Sequence, residues 1–200
     1  MALVHIDDRR LHIKIVYYGP GLGGKTTNLR CLYRRLPGRL RGEWIALKTG
    51  EDRTLYFDFL PLHLSGDAEL ATRLHLYTVP GQPRFRRSRL VMLRDVDGVV
   101  FVADSRPLRR YANRESLDDL RRNLEELGRD ADALPVVFQW NKRDLSPCLP
   151  EETLRAELGA GGRPCHPAVA VAGLGVVDTL KSITKLVLRD LAAPAAGAAR

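Results

Sequence analysis

The stretch Lys14-Ile15-Val16-Tyr17-Tyr18-Gly19-Pro20-Gly21-Leu22-Gly23-Gly24-Lys25-Thr26-Thr27-Asn28-Leu29 decides the fold. Residues 11–18 read as a strand ending in an apolar run. Residues 25–35 read as a helix with Leu29, Leu32 and Tyr33 on one face. Between them, Gly19 to Thr26 fits the pattern G-x-x-x-x-G-K-[ST] in its meaningful context, strand before and helix after. Glycines let the backbone wrap closely round a phosphate with successive N–H groups pointing inward. The helix N-terminus adds favourable partial charge. Lys25 is expected to reach the β- and γ-phosphates, and the Thr26 hydroxyl to ligate Mg²⁺. Gly19, Gly21, Leu22, Gly23, Gly24, Lys25, Thr26 and Thr27 form the expected phosphate-binding set.

Outward from this loop, residues 54–64 and 72–79 alternate and predict two strands, joined as a hairpin across Ser65-Gly66-Asp67. Residues 97–104 and 135–140 are continuous apolar runs of the kind found in buried parallel strands. Leu117, Leu120, Leu124 and Leu127 recur at helical spacing between them. A last short strand is predicted near 168–171. A helix over 176–191 follows, its apolar face made of Val176, Leu180, Ile183, Val187 and Leu191. Strands alternating with helices predict an α/β fold, with a mostly parallel sheet of six or seven strands and helices on both faces. Residues 1–191 are expected to form one domain. The Ala/Pro/Gly-rich stretch 192–200 is expected to be a disordered tail. In open α/β sheets ligands bind beyond the carboxyl ends of the strands. Each motif below follows a predicted strand, at that edge.

Asn141-Lys142-Arg143-Asp144 follows the strand 135–140 and has the N-K-x-D pattern of guanine recognition. A buried carboxylate at Asp144 would accept two hydrogen bonds from the guanine N1–H and N2 amine. Adenine offers no such donor pair. Unpaired buried groups of this kind discriminate by roughly 10⁴–10⁵. Thr78-Val79-Pro80-Gly81-Gln82 ends the strand 72–79 and resembles the D-x-x-G-Q segment of Ras-like proteins. Gly81 would donate its N–H to the γ-phosphate, and Gln82 would orient the attacking water. The usual Asp is Thr78 here, which either weakens metal binding or moves the task to another carboxylate, with Asp58 and Asp52 as candidates. Glu51-Asp52-Arg53-Thr54 precedes the second strand. In a Ras-like reading it is switch I, with Thr54 binding Mg²⁺ and sensing the γ-phosphate.

Composition excludes several classes. The net charge is +8, but the arginines are spread along the chain without interleaved aromatics, so a base-stacking nucleic-acid surface is not expected. Three cysteines, with no Cys-x-x-Cys spacing, indicate neither a disulfide framework nor a zinc site and fit a reducing, cytoplasmic compartment. The first ten residues lack the apolar core of a signal peptide, and the apolar-looking stretch 174–192 carries Lys181, Lys185, Arg189 and Asp190. No integral membrane segment is therefore expected. The run Arg84-Phe85-Arg86-Arg87-Ser88-Arg89 reads either as a solvated face or as a surface for an acidic partner. Three functions compete: a GTP hydrolase acting as a timed switch, a GTP-binding scaffold with negligible hydrolysis, and a P-loop ATPase or kinase. The N-K-R-D string argues against the last, and Gln82 with Arg53 against the second.

Five strings taken together resemble the MglA family of bacterial and archaeal Ras-like GTPases, which set front–rear polarity for surface motility. They are residues 14–29, 52–62 (Asp-Arg-Thr-Leu-Tyr-Phe-Asp-Phe-Leu-Pro-Leu), 75–82 (His-Leu-Tyr-Thr-Val-Pro-Gly-Gln), 98–105 (Gly-Val-Val-Phe-Val-Ala-Asp-Ser) and 141–145 (Asn-Lys-Arg-Asp-Leu). The similarity spans roughly residues 9–191. The resemblance implies a Ras-like P-loop GTPase fold binding GTP or GDP with Mg²⁺, and it makes Thr78 a family trait. It also implies that Arg53 is an arginine finger supplied in cis. The fifth guanine element falls at Val169-Ala170-Val171, with the Ala170 N–H meeting the guanine O6. Implied partners are a roadblock/LC7-type, MglB-like homodimer that activates hydrolysis, and effectors that bind the GTP state. The strand after switch I is implied to shift register between nucleotide states. Two stretches depart from the family's pattern, the apolar Val171-Ala172-Gly173 and the proline-rich loop 145–167, and they point to a paralogue with a different partner.

Overall fold

The computed structural model describes residues 6–7, 10–47, 57–64 and 71–193. Its centre is β2 (Arg10–Tyr18), whose alternation loads both faces of one sheet. Ile13, Ile15 and Tyr17 enter one apolar cluster, and Val16 and Tyr18 enter the other. β5 (Ala71–Thr78) and β6 (Gly98–Asp104) flank β2, both parallel to it. β7 (Val136–Asn141) and β8 (Cys165–Pro167) extend the parallel half. On the other side β4 (Phe57–Leu64) runs antiparallel to β5, and β3 (Ile45–Leu47) antiparallel to β4. The order is β3-β4-β5-β2-β6-β7-β8, seven strands in a row, and β1 (Ile6–Asp7) pairs with the start of β2.

Helices cover both faces. α1 (Lys25–Arg35) and α5 (Val176–Ala192) bury Leu29, Leu32, Val176, Leu180, Ile183 and Val187 against one side. α2 (Arg86–Leu93), α3 (Arg110–Glu126) and α4 (Glu151–Glu157) bury Met92, Leu93, Leu117, Leu120, Leu124 and Leu154 against the other. Each such side chain contributes about 1.5–3 kcal/mol relative to exposure, so these two layers carry the sheet. The parallel strands β6 and β7 are buried along their whole length, as their continuous apolar runs required. Among the described residues, no helix is long and apolar enough to cross a membrane.

Two expectations need adjustment. The last strand is Cys165–Pro167, and not near 168–171. Val169 to Leu174 instead forms a tight loop closed by the Val169–Leu174 bridge, with Gly173 and Gly175 at φ 72° and 71°. Apolar composition there mimics a strand, but Val171 is exposed and packs against nothing in the core. The stretch 145–167 is not one loop, since it holds α4 and β8. The predicted hairpin tip Ser65-Gly66-Asp67 lies outside the described residues, although the antiparallel register Leu64 to Thr72 joins its two strands. Residues 54–56 and 194–200 also lie outside them.

Candidate functional site

The loop between β2 and α1 closes on itself before it closes on anything else. Gly24, just before α1, sits at φ 104°, and Gly19 at φ 136°. A Cβ on Gly24 would lie 2.1 Å from Asn141 Nδ2, and one on Gly19 2.3 Å from the Val102 carbonyl oxygen. Glycine is required at both positions for room as well as for backbone angle. Lys25 is buried and donates to the carbonyls of Gly19 and Pro20, at 2.7 Å each. Burial lowers its pKa to about 7, and the charges of Arg89 and Arg109 push it the same way. Two further cations therefore act on the phosphate side of the loop. Leu22 is exposed at the tip in the left-handed region, φ 63°, and Thr27 is half-buried.

Thr26 meets one of the two candidate carboxylates. Its hydroxyl donates to Asp58 Oδ2 at 2.5 Å. Asp58 comes from β4, one strand over from the position where Thr78 ends β5. The Thr78 hydroxyl donates to the same Oδ2 at 3.0 Å and accepts from the Asp58 N–H at 2.9 Å. Thr78 thus orients the Asp58 carboxylate. Of the two candidates from the sequence, Asp58 is the one brought to Thr26, and Asp52 lies outside the described residues. Arg53 and Thr54 lie outside them too.

The guanine-recognition turn is tied to the phosphate loop. Asn141 Nδ2 donates to the Gly23 carbonyl at 2.8 Å, and Asn141 Oδ1 accepts from the Ala170 N–H at 3.0 Å. One amide therefore joins the loop after β2, the end of β7 and the loop after β8. The Ala170 N–H, assigned by family resemblance to guanine O6, is engaged with Asn141 in this structure. Lys142 adopts φ 67° and sends Nζ to Asp104 Oδ2 at 2.8 Å. Asp144 is exposed in the turn after β7, where a buried carboxylate was expected. Val171, on the loop after β8, is also exposed. Arg35, from the end of α1, clamps that loop by donating to the carbonyls of Gly173 at 3.0 Å and Ala172 at 2.6 Å.

Behind the site, Asn28 and Gln139 exchange side-chain hydrogen bonds at 2.8 and 2.9 Å, and Gln139 donates on to Thr179 Oγ1 at 3.0 Å. All three are fully buried, so α1, β7 and α5 are keyed together by a satisfied amide network. In switch II, Gly81 runs against the phosphate loop, and a Cβ there would lie 2.3 Å from the Gly21 nitrogen. The Gln82 side chain is exposed, while its carbonyl accepts from Arg89 at 2.6 Å. Arg89 is buried and pairs with Asp119 at 2.7 Å. Tyr18 and Asn123 also donate to that carboxylate. One cavity of about 600 Å³ is lined by Gly21 to Thr27, Gly81 and Gln82. Among the described residues, no three His, Cys, Asp or Glu side chains cluster as a metal site.

Asp104, Asn28, Gln139, Arg89 and Arg109 escaped the sequence reading of the site. Asp104 ends an apolar run, which marks it as a charge at a strand's carboxyl end, but only the fold shows what it meets.

No family model matches the chain. Among characterised proteins, it is similar to the mutual gliding-motility protein MglA of Myxococcus xanthus (strain DK1622). The two are 50% identical over 191 residues, covering 96% of this chain and 98% of that protein.

Proposed function

The chain belongs to the MglA family of small GTPases, and on that premise we propose that it binds GTP and GDP with Mg²⁺ and hydrolyses GTP as a timed switch. The observation that carries this reading is the meeting of the Thr26 hydroxyl and the Asp58 carboxylate at 2.5 Å, in a chain whose switch II lacks the usual Asp. Both groups are hard oxygen donors, the chemistry Mg²⁺ requires, and the cation usually keeps several waters beside one or two carboxylates. Bound there, Mg²⁺ supplies charge neutralisation at the β- and γ-phosphate oxygens.

The chain's own residues supply the rest. Backbone N–H groups of Gly21 to Thr27 and the Lys25 ammonium hold the phosphates, and Asp144 reads the guanine edge. Gln82, exposed over the loop, orients the attacking water, and Arg53 meets the charge developing on the γ-phosphoryl. The activator is a roadblock/LC7-type homodimer that supplies no catalytic residue and holds Arg53 in place, and the GTP state recruits effectors. By kinship with the motility protein, the switch serves cell polarity or gliding motility in the cytoplasm. Single-turnover hydrolysis tests it. Arg53→Ala should keep GTP and partner binding while losing the stimulated rate, about 10³–10⁵-fold for an arginine finger. Full stimulation in that variant would move the finger to the partner.

A further inference from the structure

Asp104, at the end of β6, has a carboxylate with no solvent exposure. Three cations surround it. Arg106 chelates it, Nε to Oδ1 at 3.0 Å and Nη2 to Oδ2 at 2.7 Å, and adds its own backbone N–H to Oδ1 at 3.2 Å. Lys142 reaches Oδ2 at 2.8 Å. Arg109 Nε lies 3.8 Å from the same oxygen, an ion pair without a hydrogen bond. Asn113 fixes the backbone at this point by bonding both the N–H and the carbonyl of Asp104. Burial on its own would raise the carboxyl pKa, but the hydrogen bonds from Arg106 and Lys142 outweigh it and hold the group below the usual carboxylate range.

Of the three cations on Oδ2, Lys142 and Arg109 go to opposite halves of the nucleotide site. Lys142 belongs to the guanine-recognition turn. Arg109 Nη2 donates to the carbonyl of Gly21, in the phosphate loop, at 2.7 Å. Its guanidinium lines the groove formed with Gly81, Gln82 and Arg89, and its charge acts on Lys25. A buried anion holds each cation around it, because losing any one of them removes compensation from a charge that water does not reach.

Resting on the nucleotide-binding reading above, we propose that Asp104 and Arg109 are positioning residues that couple base recognition to the phosphate loop, with Asp104 as the shared anchor. If the Lys142 contact is lost, Asp104 turns to Arg109, and Arg109 is drawn from Gly21. The base-side contact thereby controls how firmly the phosphate loop is held.

Release of a fluorescent GDP analogue, chased with unlabelled GDP in Mg²⁺, tests this on the full chain. Arg109→Ala should speed release about tenfold, equivalent to about 1.4 kcal/mol, although Arg109 belongs to none of the expected nucleotide contacts. Lys142→Met should speed it too. The double variant should fall clearly short of the product of the two single effects, the mark of residues acting through one anchor. Arg109→Lys should restore little, since one ammonium lacks the planar fork that serves Gly21 and Asp104 together. Asp104→Asn should release fastest, and Arg109→Ala, at a more exposed position, carries the test if that variant does not fold. Release at the wild-type rate in Arg109→Ala, or strictly multiplicative effects in the double variant, would overturn the coupling. A wild type that holds ADP as well as GDP would instead remove the guanine reading on which it rests.

Discussion

Thr78 shows how a departure from a motif is resolved one residue at a time. A threonine cannot replace a carboxylate near a divalent cation, but it can orient one by donating to it while accepting from its backbone. Asp58→Asn keeps an acceptor for Thr26 and Thr78 but removes the charge. The expected outcome is a folded protein whose Mg²⁺-dependent gain in GTP affinity shrinks roughly tenfold or more, about 1.4 kcal/mol, measured by titration with and without a chelator. An unchanged Mg²⁺ dependence would return the task to another carboxylate.

Lys25 gives a pH signature at the same scale. Its pKa of about 7 lies below the ordinary lysine value of 10.5, so between those values the unfolded chain binds the proton that the fold does not. Through this group, nucleotide-free stability rises as pH climbs from about 7 towards 10 and is lost as pH falls back. Phosphate oxygens favour the charged form, so nucleotide binding should take up a proton. Affinity should then fall as pH rises from 7 to 9, by up to about tenfold per unit. Calorimetry in two buffers of different ionisation enthalpy measures the uptake, and no buffer dependence above pH 8 would contradict it.

Among the elements, α1 was legible to the residue because a phosphate loop fixes its start and a continuous apolar face fixes its course. β6 and β7 were legible because full burial makes their runs almost wholly apolar, Gln139 being the one polar residue inside them. α4 was not, since seven residues with one buried apolar side chain, Leu154, give no period to read. The Val169-Ala170-Val171 loop misled because three small apolar residues look extended until the glycines that reverse the chain are counted. With β8 ending at Pro167, that loop follows its strand as the other site loops do.

β4 carries the element-scale prediction. Its present register sets Phe59 opposite Tyr77 and Leu60 opposite Leu76, with Asp58 directed at Thr26. A slip along β5 must be even to keep Leu60 and Leu62 in the core. Two residues amount to roughly 6.6 Å, enough to withdraw Asp58 from Thr26. Structures with GDP and with a non-hydrolysable GTP analogue should therefore differ in the Asp58–Thr26 contact. Identical registers over residues 57–64 would refute the slip.

At the scale of the whole molecule, the site is the place where the carboxyl ends of β2, β5, β7 and β8 meet. Asn141 ties the end of β7 to the loops after β2 and β8, and Asp104, at the end of β6, holds Lys142 of the turn after β7. The motifs were readable from spacing, but the links between them were not, because each joins residues far apart in sequence. Guanine-specific hydrolysis is tested by phosphate release under single-turnover conditions with Mg²⁺, from γ-labelled GTP and from γ-labelled ATP, for the wild type and for Asp144→Asn. Slow release from GTP and none from ATP is expected in the wild type, and in Asp144→Asn loss of GTP turnover with gain of xanthosine triphosphate turnover. Equal release from ATP, or tight GTP binding with no phosphate released, would contradict it.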